Sequence, residues 1–202
     1  MSPTNFFENC KFLVSGFSLK DLPEDTGSEV AFCGRSNSGK SSLLNCLTKK
    51  RKLAKTSKTP GRTQSINIFS LDDYGENRIS DLPGYGFAKV SKQTKKSWGK
   101  LITDYLNSRR SLVGLVIVMD IRQPFRDSDL TLINWSLQTK TPLLVILNKS
   151  DKLSKSKAKE AVTKANQFLD RIEVKSKALS FSSKKNIGLE PLTEELLRWF
   201  GV

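Results

Sequence analysis

The chain is expected to fold as an α/β protein, a three-layer α/β/α domain built on a six-stranded, mostly parallel sheet with one antiparallel edge strand. Three observations predict this. Residues 34–41 read Gly-Arg-Ser-Asn-Ser-Gly-Lys-Ser and lie between a short apolar run and a stretch with helical spacing. Residues 112–119 and 142–147 are apolar runs without alternation, as expected of strands buried on both faces. Strand-like and helix-like stretches then alternate, which implies right-handed crossovers between parallel strands.

In order, residues 1–27 read as an N-terminal extension packing on the domain, with a strand-like piece at 11–14 and a loop at 21–27. Residues 28–202 read as a single domain. Its first strand is 29–33 and its first helix runs from Lys40 to about Leu47, with apolar residues at helical spacing. Residues 48–65 form a long polar connection, rich in Lys and Arg, that contains Pro60-Gly61. Residues 66–71 and 77–82, joined by Asp72-Asp73-Tyr74-Gly75, read as a hairpin. Pro83-Gly84-Tyr85-Gly86 breaks the second strand before a helix over 92–107. After the strand at 112–119, Ser128 or Asp127 caps a helix to about 138. The strand at 142–147, a basic helix over 154–169, a short strand at 178–181 and a helix over 192–200 complete the series.

Composition narrows the chemistry. With 202 residues and 37% hydrophobic content, the chain supports one domain with a sizeable core. No apolar run approaches a membrane-spanning length, and no basic-then-apolar leader is visible, so a cytoplasmic, membrane-free protein is expected. Cys10, Cys33 and Cys46 show no metal-type spacing and read as small buried residues in a reducing compartment. There is no histidine, which removes Ser-His and Cys-His nucleophiles and histidine-bound metals. A metal would have to be a hard ion on oxygen ligands, which suits Mg²⁺. The formal net charge of +14 favours a polyanionic partner such as nucleic acid.

Strand, glycine loop and helix are the context a phosphate-binding loop requires. Gly34, Arg35, Ser36, Asn37, Ser38 and Gly39 would wrap successive N–H groups around phosphate oxygens, and the helix N-terminus at Lys40, Ser41 and Ser42 adds partial positive charge. Lys40 would reach the β- and γ-phosphates, and the Ser41 hydroxyl would hold Mg²⁺. Asp81-Leu82-Pro83-Gly84 ends a strand, where Asp81 can hold Mg²⁺ through water and the Gly84 N–H can bond a γ-phosphate. In Gly61-Arg62-Thr63-Gln64-Ser65, Thr63 is the candidate second Mg²⁺ hydroxyl, on a loop that closes when γ-phosphate and metal are present. Lys40, Thr63 and Gly84 are thus the candidate catalytic groups.

Asn148-Lys149-Ser150-Asp151 follows an apolar strand. A carboxylate at Asp151 can accept from guanine N1–H and its 2-amino group together, whereas adenine would leave it unpaired. Asn148 would meet the base edge and brace the phosphate loop, and the Lys149 stem would pack on the base. Backbone N–H groups of Phe181, Ser182 and Ser183 are candidates for guanine O6.

With these residues assembled, the chain resembles the TRAFAC-class GTPases and, more narrowly, the EngB (YihA/YsxC) family. The carriers are Gly-Arg-Ser-Asn-Ser-Gly-Lys-Ser-Ser at 34–42, Thr-Pro-Gly-Arg-Thr-Gln at 59–64, Asp-Leu-Pro-Gly-Tyr-Gly at 81–86 and Asp120-Ile121-Arg122. Ser150 departs from the threonine that the family often has there. The resemblance implies a P-loop GTPase domain, GTP/GDP binding, Mg²⁺ use, a role in assembling the large ribosomal subunit and a need in normal septation. Tyr85 stands where Ras-type enzymes carry the water-orienting glutamine, so slow hydrolysis is expected, helped from outside. One helper is K⁺, since potassium-activated relatives use a phosphate-loop asparagine at the place of Asn37; a tight turn also explains that residue. The other is the ribosome. Its rRNA would meet a basic surface made of Lys49, Lys50, Arg51, Lys52, Lys55, Lys58 and Arg62, with Lys89, Lys92, Lys95, Lys96 and Lys100 around Trp98. A monomer is expected. A P-loop kinase, an RNA-binding assembly factor with negligible turnover, and another potassium-type GTPase module remain open as alternatives.

Overall fold

The computed structural model describes residues 5–51, 53–54, 65–85 and 92–202, with the side chains of 92–98 outside that description. Seven strands form one sheet: β1 (Lys11–Gly16), β2 (Ser28–Gly34), β3 (Ile66–Ser70), β4 (Asn77–Asp81), β5 (Leu112–Asp120), β6 (Leu143–Asn148) and β7 (Ser176–Ser180). Their order across the sheet is β1-β3-β4-β2-β5-β6-β7. The helices are α1 (Lys40–Leu47), α2 (Lys92–Ser108), α3 (Asp127–Thr139), α4 (Lys155–Arg171) and α5 (Leu189–Phe200).

The sheet corrects the six-strand expectation in one detail. The additional strand, β1, comes from the stretch read as an extension and pairs antiparallel with β3 along Lys11↔Ser70 to Gly16↔Ile66. β3 in turn runs antiparallel to β4, so the reversed strand is β3, and the edge beyond it belongs to β1. The strands from β4 through β7 pair in parallel.

The unbroken apolar runs have a simple cause. In a strand successive side chains face opposite ways, and here both faces are covered. Val30, Phe32, Val116, Val118, Leu144 and Ile146 enter one core with α1 and α5 residues such as Leu43 and Leu196. Ala31, Cys33, Leu115, Ile117, Val145 and Leu147 enter the other, with Tyr105, Ile133 and Leu169 from α2, α3 and α4.

Helix ends follow local chemistry. Ser154 caps α4 by accepting the Lys157 N–H. The cap of α3 differs from expectation: the Asp129 carboxylate accepts the Arg126 N–H at 2.9 Å, and neither Ser128 nor Asp127 does so. Cys10 and Cys33 are buried, Cys46 is partly so, and all three are free thiols. Burial pushes the Cys10 thiol up to about 12. Among the described residues no helix is long and apolar enough to cross a membrane.

Candidate functional site

The sheet order reverses direction around β2, whose neighbours are β4 and β5. Open α/β sheets bind ligands at such a switch point, beyond the carboxyl ends of the strands. Gly34 ends β2, and Arg35 to Gly39 make the loop into α1. Asn37 and Gly39 adopt left-handed backbone, with φ of 63° and 93°. At Gly39 glycine is required twice over, because a Cβ there would also lie 2.3 Å from Asn148 Nδ2.

Parallel pairing of β2 with β4 sets Phe32 opposite Asp81, so Asp81 arrives beside the loop. Lys40 Nζ donates to Asp81 Oδ1, with both side chains nearly buried. Leu82 continues the sheet through its N–H to Phe32 O at 2.9 Å and buries its side chain in the core, and Pro83 is buried beside it. Gly84 lies against the loop: a Cβ on it would sit 3.2 Å from Ser36 Oγ. Ser41 is partly buried and Ser42 exposed in the first turn of α1.

The base-side residues gather at the ends of β6 and β7. Asn148 is 2% exposed and donates through Nδ2 to Ser38 O at 2.9 Å. Lys149 takes left-handed backbone, and its ammonium donates to Asn37 O and pairs with Asp120 at 3.0 Å. Asp151 accepts from the Ser182 hydroxyl at 2.7 Å, which holds its carboxyl below the usual range. Phe181 presents no free group to a ligand: its ring is buried, its N–H bonds Leu147 O, and its C=O accepts the Ser150 N–H. It therefore positions Ser150. The Ser182 N–H is also used, by Ile187 O at 3.0 Å.

A cavity of about 370 Å³ opens beside the loop, walled by Arg35, Asn37, Ser38, Asp120, Asp129 and Lys149 among others. The buried side-chain hydroxyls with no partner among the described residues belong to Ser36, Ser38, Ser80, Ser150 and Ser183. All but Ser80 fall in the phosphate-loop and base-side motifs. A buried hydroxyl without a protein partner costs roughly 1–3 kcal/mol unless water or a ligand bonds it, so these four are open to a polar ligand as well as to water.

Among the described residues no group of three His, Cys, Asp or Glu side chains could hold a metal by itself. The donors present, the Ser41 hydroxyl and the buried Asp81 carboxylate, are hard oxygens that fit Mg²⁺ sharing its shell with phosphate. Gly61, Arg62, Thr63 and Gln64 lie outside the described residues, as do Lys52, Lys55, Lys58, Lys89 and the side chains of Lys92, Lys95, Lys96 and Trp98. Ser65, next to that loop, is buried. Of the first basic stretch, Lys49 pairs with Glu8 at 2.6 Å and Lys50 donates to Cys10 O at 2.5 Å, so both are tied to the N-terminal segment. Lys100 pairs with Asp104 at 2.6 Å.

The sequence singled out Asp120 only as part of a family motif, with no role of its own, and gave Asp129 none. Asp120 holds both Lys149 and, at 2.7 Å, Arg122; the Arg122 hydrogen bond is the chief cause that keeps its carboxyl far below the usual range. A lone carboxylate closing an apolar strand at the ligand end was the available signal. Asp129, which receives the Tyr85 hydroxyl at 2.8 Å, had none.

This fold, with the glycine-rich loop between β2 and α1, and the family match over residues 29–149 define a P-loop GTPase domain. Residues 29–149 match a family described as 50S ribosome-binding GTPase. The chain is 47% identical over 194 residues to the probable GTP-binding protein EngB of Idiomarina loihiensis, covering 96% of this chain and 93% of that protein. It is likewise 47% identical over 202 residues to the probable GTP-binding protein EngB of Alteromonas mediterranea, covering 98% and 92%. The crystal structure of a probable GTP-binding protein EngB superposes with a TM-score of 0.68 at 22% identity, covering 86% of this chain and 98% of that one, a likeness of fold. The chain belongs to the EngB family.

Proposed function

We propose that the protein binds GTP and GDP, hydrolyses GTP slowly to GDP and phosphate, and acts as a nucleotide-dependent switch in assembly of the large ribosomal subunit. A need in cell division and septation is proposed as a consequence of that role. The observation that carries the reading is the pairing of an orphan-rich phosphate loop with Asp151, a carboxylate fixed by Ser182 at the base end. The family description and the relatives' names support the ribosomal and nucleotide parts.

In this reading Lys40 exchanges Asp81 for the β- and γ-phosphates. That exchange leaves a buried carboxylate, 4% exposed, without its counter-charge. Bound Mg²⁺ would counter that charge and polarise the phosphates, held by Ser41, by Thr63 and, through water, by Asp81. Asn148 and Lys149 brace the loop, Asp151 selects guanine, and Gly84 meets the γ-phosphate. Tyr85 favours slow hydrolysis, because its hydroxyl is engaged by Asp129 and is not free to orient water. K⁺ at Asn37 or a ribosomal particle would then supply what is missing. A basic surface would meet rRNA, with the protein acting as a monomer.

The test is single-turnover GTP hydrolysis with and without large-subunit particles, in K⁺ and in Na⁺ at matched ionic strength. Slow turnover alone, accelerated by particles or by K⁺, is expected. Fast turnover by the protein alone in Na⁺ would refute the need for outside help. Co-sedimentation with large-subunit particles that does not differ between a GTP analogue and GDP would refute the switch.

A further inference from the structure

Tyr85 is gripped from two sides. Its backbone lies along the phosphate loop: its N–H donates to Gly34 O at 3.3 Å, and its C=O accepts the Ser36 N–H at 3.0 Å. Its hydroxyl reaches 44 residues onward to Asp129 Oδ1 at 2.8 Å, in the first turn of α3. Asp129 is itself fixed, being 1% exposed with its other oxygen on the Arg126 N–H at 2.9 Å. Burial raises the Tyr85 phenol well above its ordinary value, so it remains a proton donor to the carboxylate. Gly84 is the preceding residue and is packed against Ser36. Its place relative to the loop is thus set by its neighbour's two backbone bonds and, on the far side, by that neighbour's hydroxyl.

We propose that the Tyr85–Asp129 hydrogen bond is a tether that fixes the Gly84 N–H for the third phosphate, which makes Tyr85 and Asp129 positioning residues that favour GTP over GDP. The inference rests on the guanine-nucleotide reading above. A tethered loop need not be ordered when ligand binds, so less of the interaction energy is spent on ordering. GDP lacks the group that Gly84 would meet, so the tether is silent towards it.

Tyr85→Phe keeps the ring and removes only the hydroxyl. Dissociation constants for a non-hydrolysable GTP analogue and for GDP are measured on the full chain in Mg²⁺. Analogue affinity is expected to fall about tenfold, the effect of losing one hydrogen bond to a carboxylate, with GDP affinity unchanged. Asp129→Ala should reproduce the same selective loss; if it does not fold, Tyr85→Phe decides alone. Equal losses for both nucleotides, no change in either, or tighter binding of the analogue overturns the tether. Wild-type protein that binds neither nucleotide overturns the guanine-nucleotide reading itself, a result visible before any variant is made.

Discussion

The two ends of β2 bury polar groups and treat them oppositely. At its start, Glu29 is fully buried and saturated: it accepts from Arg78 Nε at 3.1 Å, from Arg109 Nη2 at 3.2 Å and from the Tyr105 hydroxyl. The guanidiniums are satisfied in turn, Arg78 by Gly75 O at 2.9 Å and Arg109 by Pro23 O at 2.9 Å. At its other end, Ser36 and Ser38 hold hydroxyls with no partner among the described residues. A closed network stabilises the fold by leaving nothing unpaired. An open one leaves its hydroxyls to water or to a ligand. The two ends should therefore respond to mutation in different observables.

The largest effect is expected at the open end. Asp151→Asn keeps an acceptor for the Ser182 hydroxyl but loses the carboxylate that matches two guanine donors. Guanine-nucleotide affinity should fall by about 10⁴-fold, since a site built around specific hydrogen bonds rejects a mismatch by that order. Thermal unfolding without nucleotide should not shift. A large shift would mean that this end also supports the fold.

Next comes the closed end. Glu29→Ala leaves the buried Arg78 guanidinium without its carboxylate and Arg109 with only Asp25, at 3.6 Å, and should cost about 3–5 kcal/mol of stability, read from the denaturation midpoint at constant slope. Under conditions where the variant is folded, its nucleotide affinity should match that of the wild type. The smallest effect sharpens the contrast. Ser38→Ala removes a hydroxyl that has no partner and should leave stability within about 0.5 kcal/mol of the wild type. Its nucleotide affinity should drop by about fivefold, the worth of one net hydrogen bond. A Ser38→Ala protein that is destabilised as much as Glu29→Ala would erase the distinction between the ends.

What could be read in the sequence was what is encoded locally. The phosphate loop declares itself because left-handed backbone at Asn37 and Gly39 demands particular residues at fixed spacing. The central strands declare themselves because burial on both faces admits only apolar side chains, as in β5 and β6. The edge strand was harder. Phe12 and Leu13 point to opposite faces yet both remain exposed, so β1 shows neither alternation nor a buried run, and its membership depends on pairing with β3, fifty or more residues away. The orientation of Tyr85 was not readable for the same reason. The motif gives its position after Gly84, but Asp129, the group that turns its hydroxyl away, is recruited by the packing of α3.

Asn148 joins the two halves of the site. Its side chain bonds Ser38 O at 2.9 Å and leaves no room at Gly39 for a larger residue. The end of β6 and the loop after β2 are therefore joined by a direct side-chain hydrogen bond. For inhibitor design, if the loop takes the phosphates and Asp151 the base, as proposed, this bond constrains the offset between the two, and two weak fragments joined by a linker of the right length would lose less affinity to reorganisation of the protein. The same bond constrains divergence: on the proposed roles a change at Asn148 would also disturb the loop, whereas the Asp151 side chain bonds Ser182.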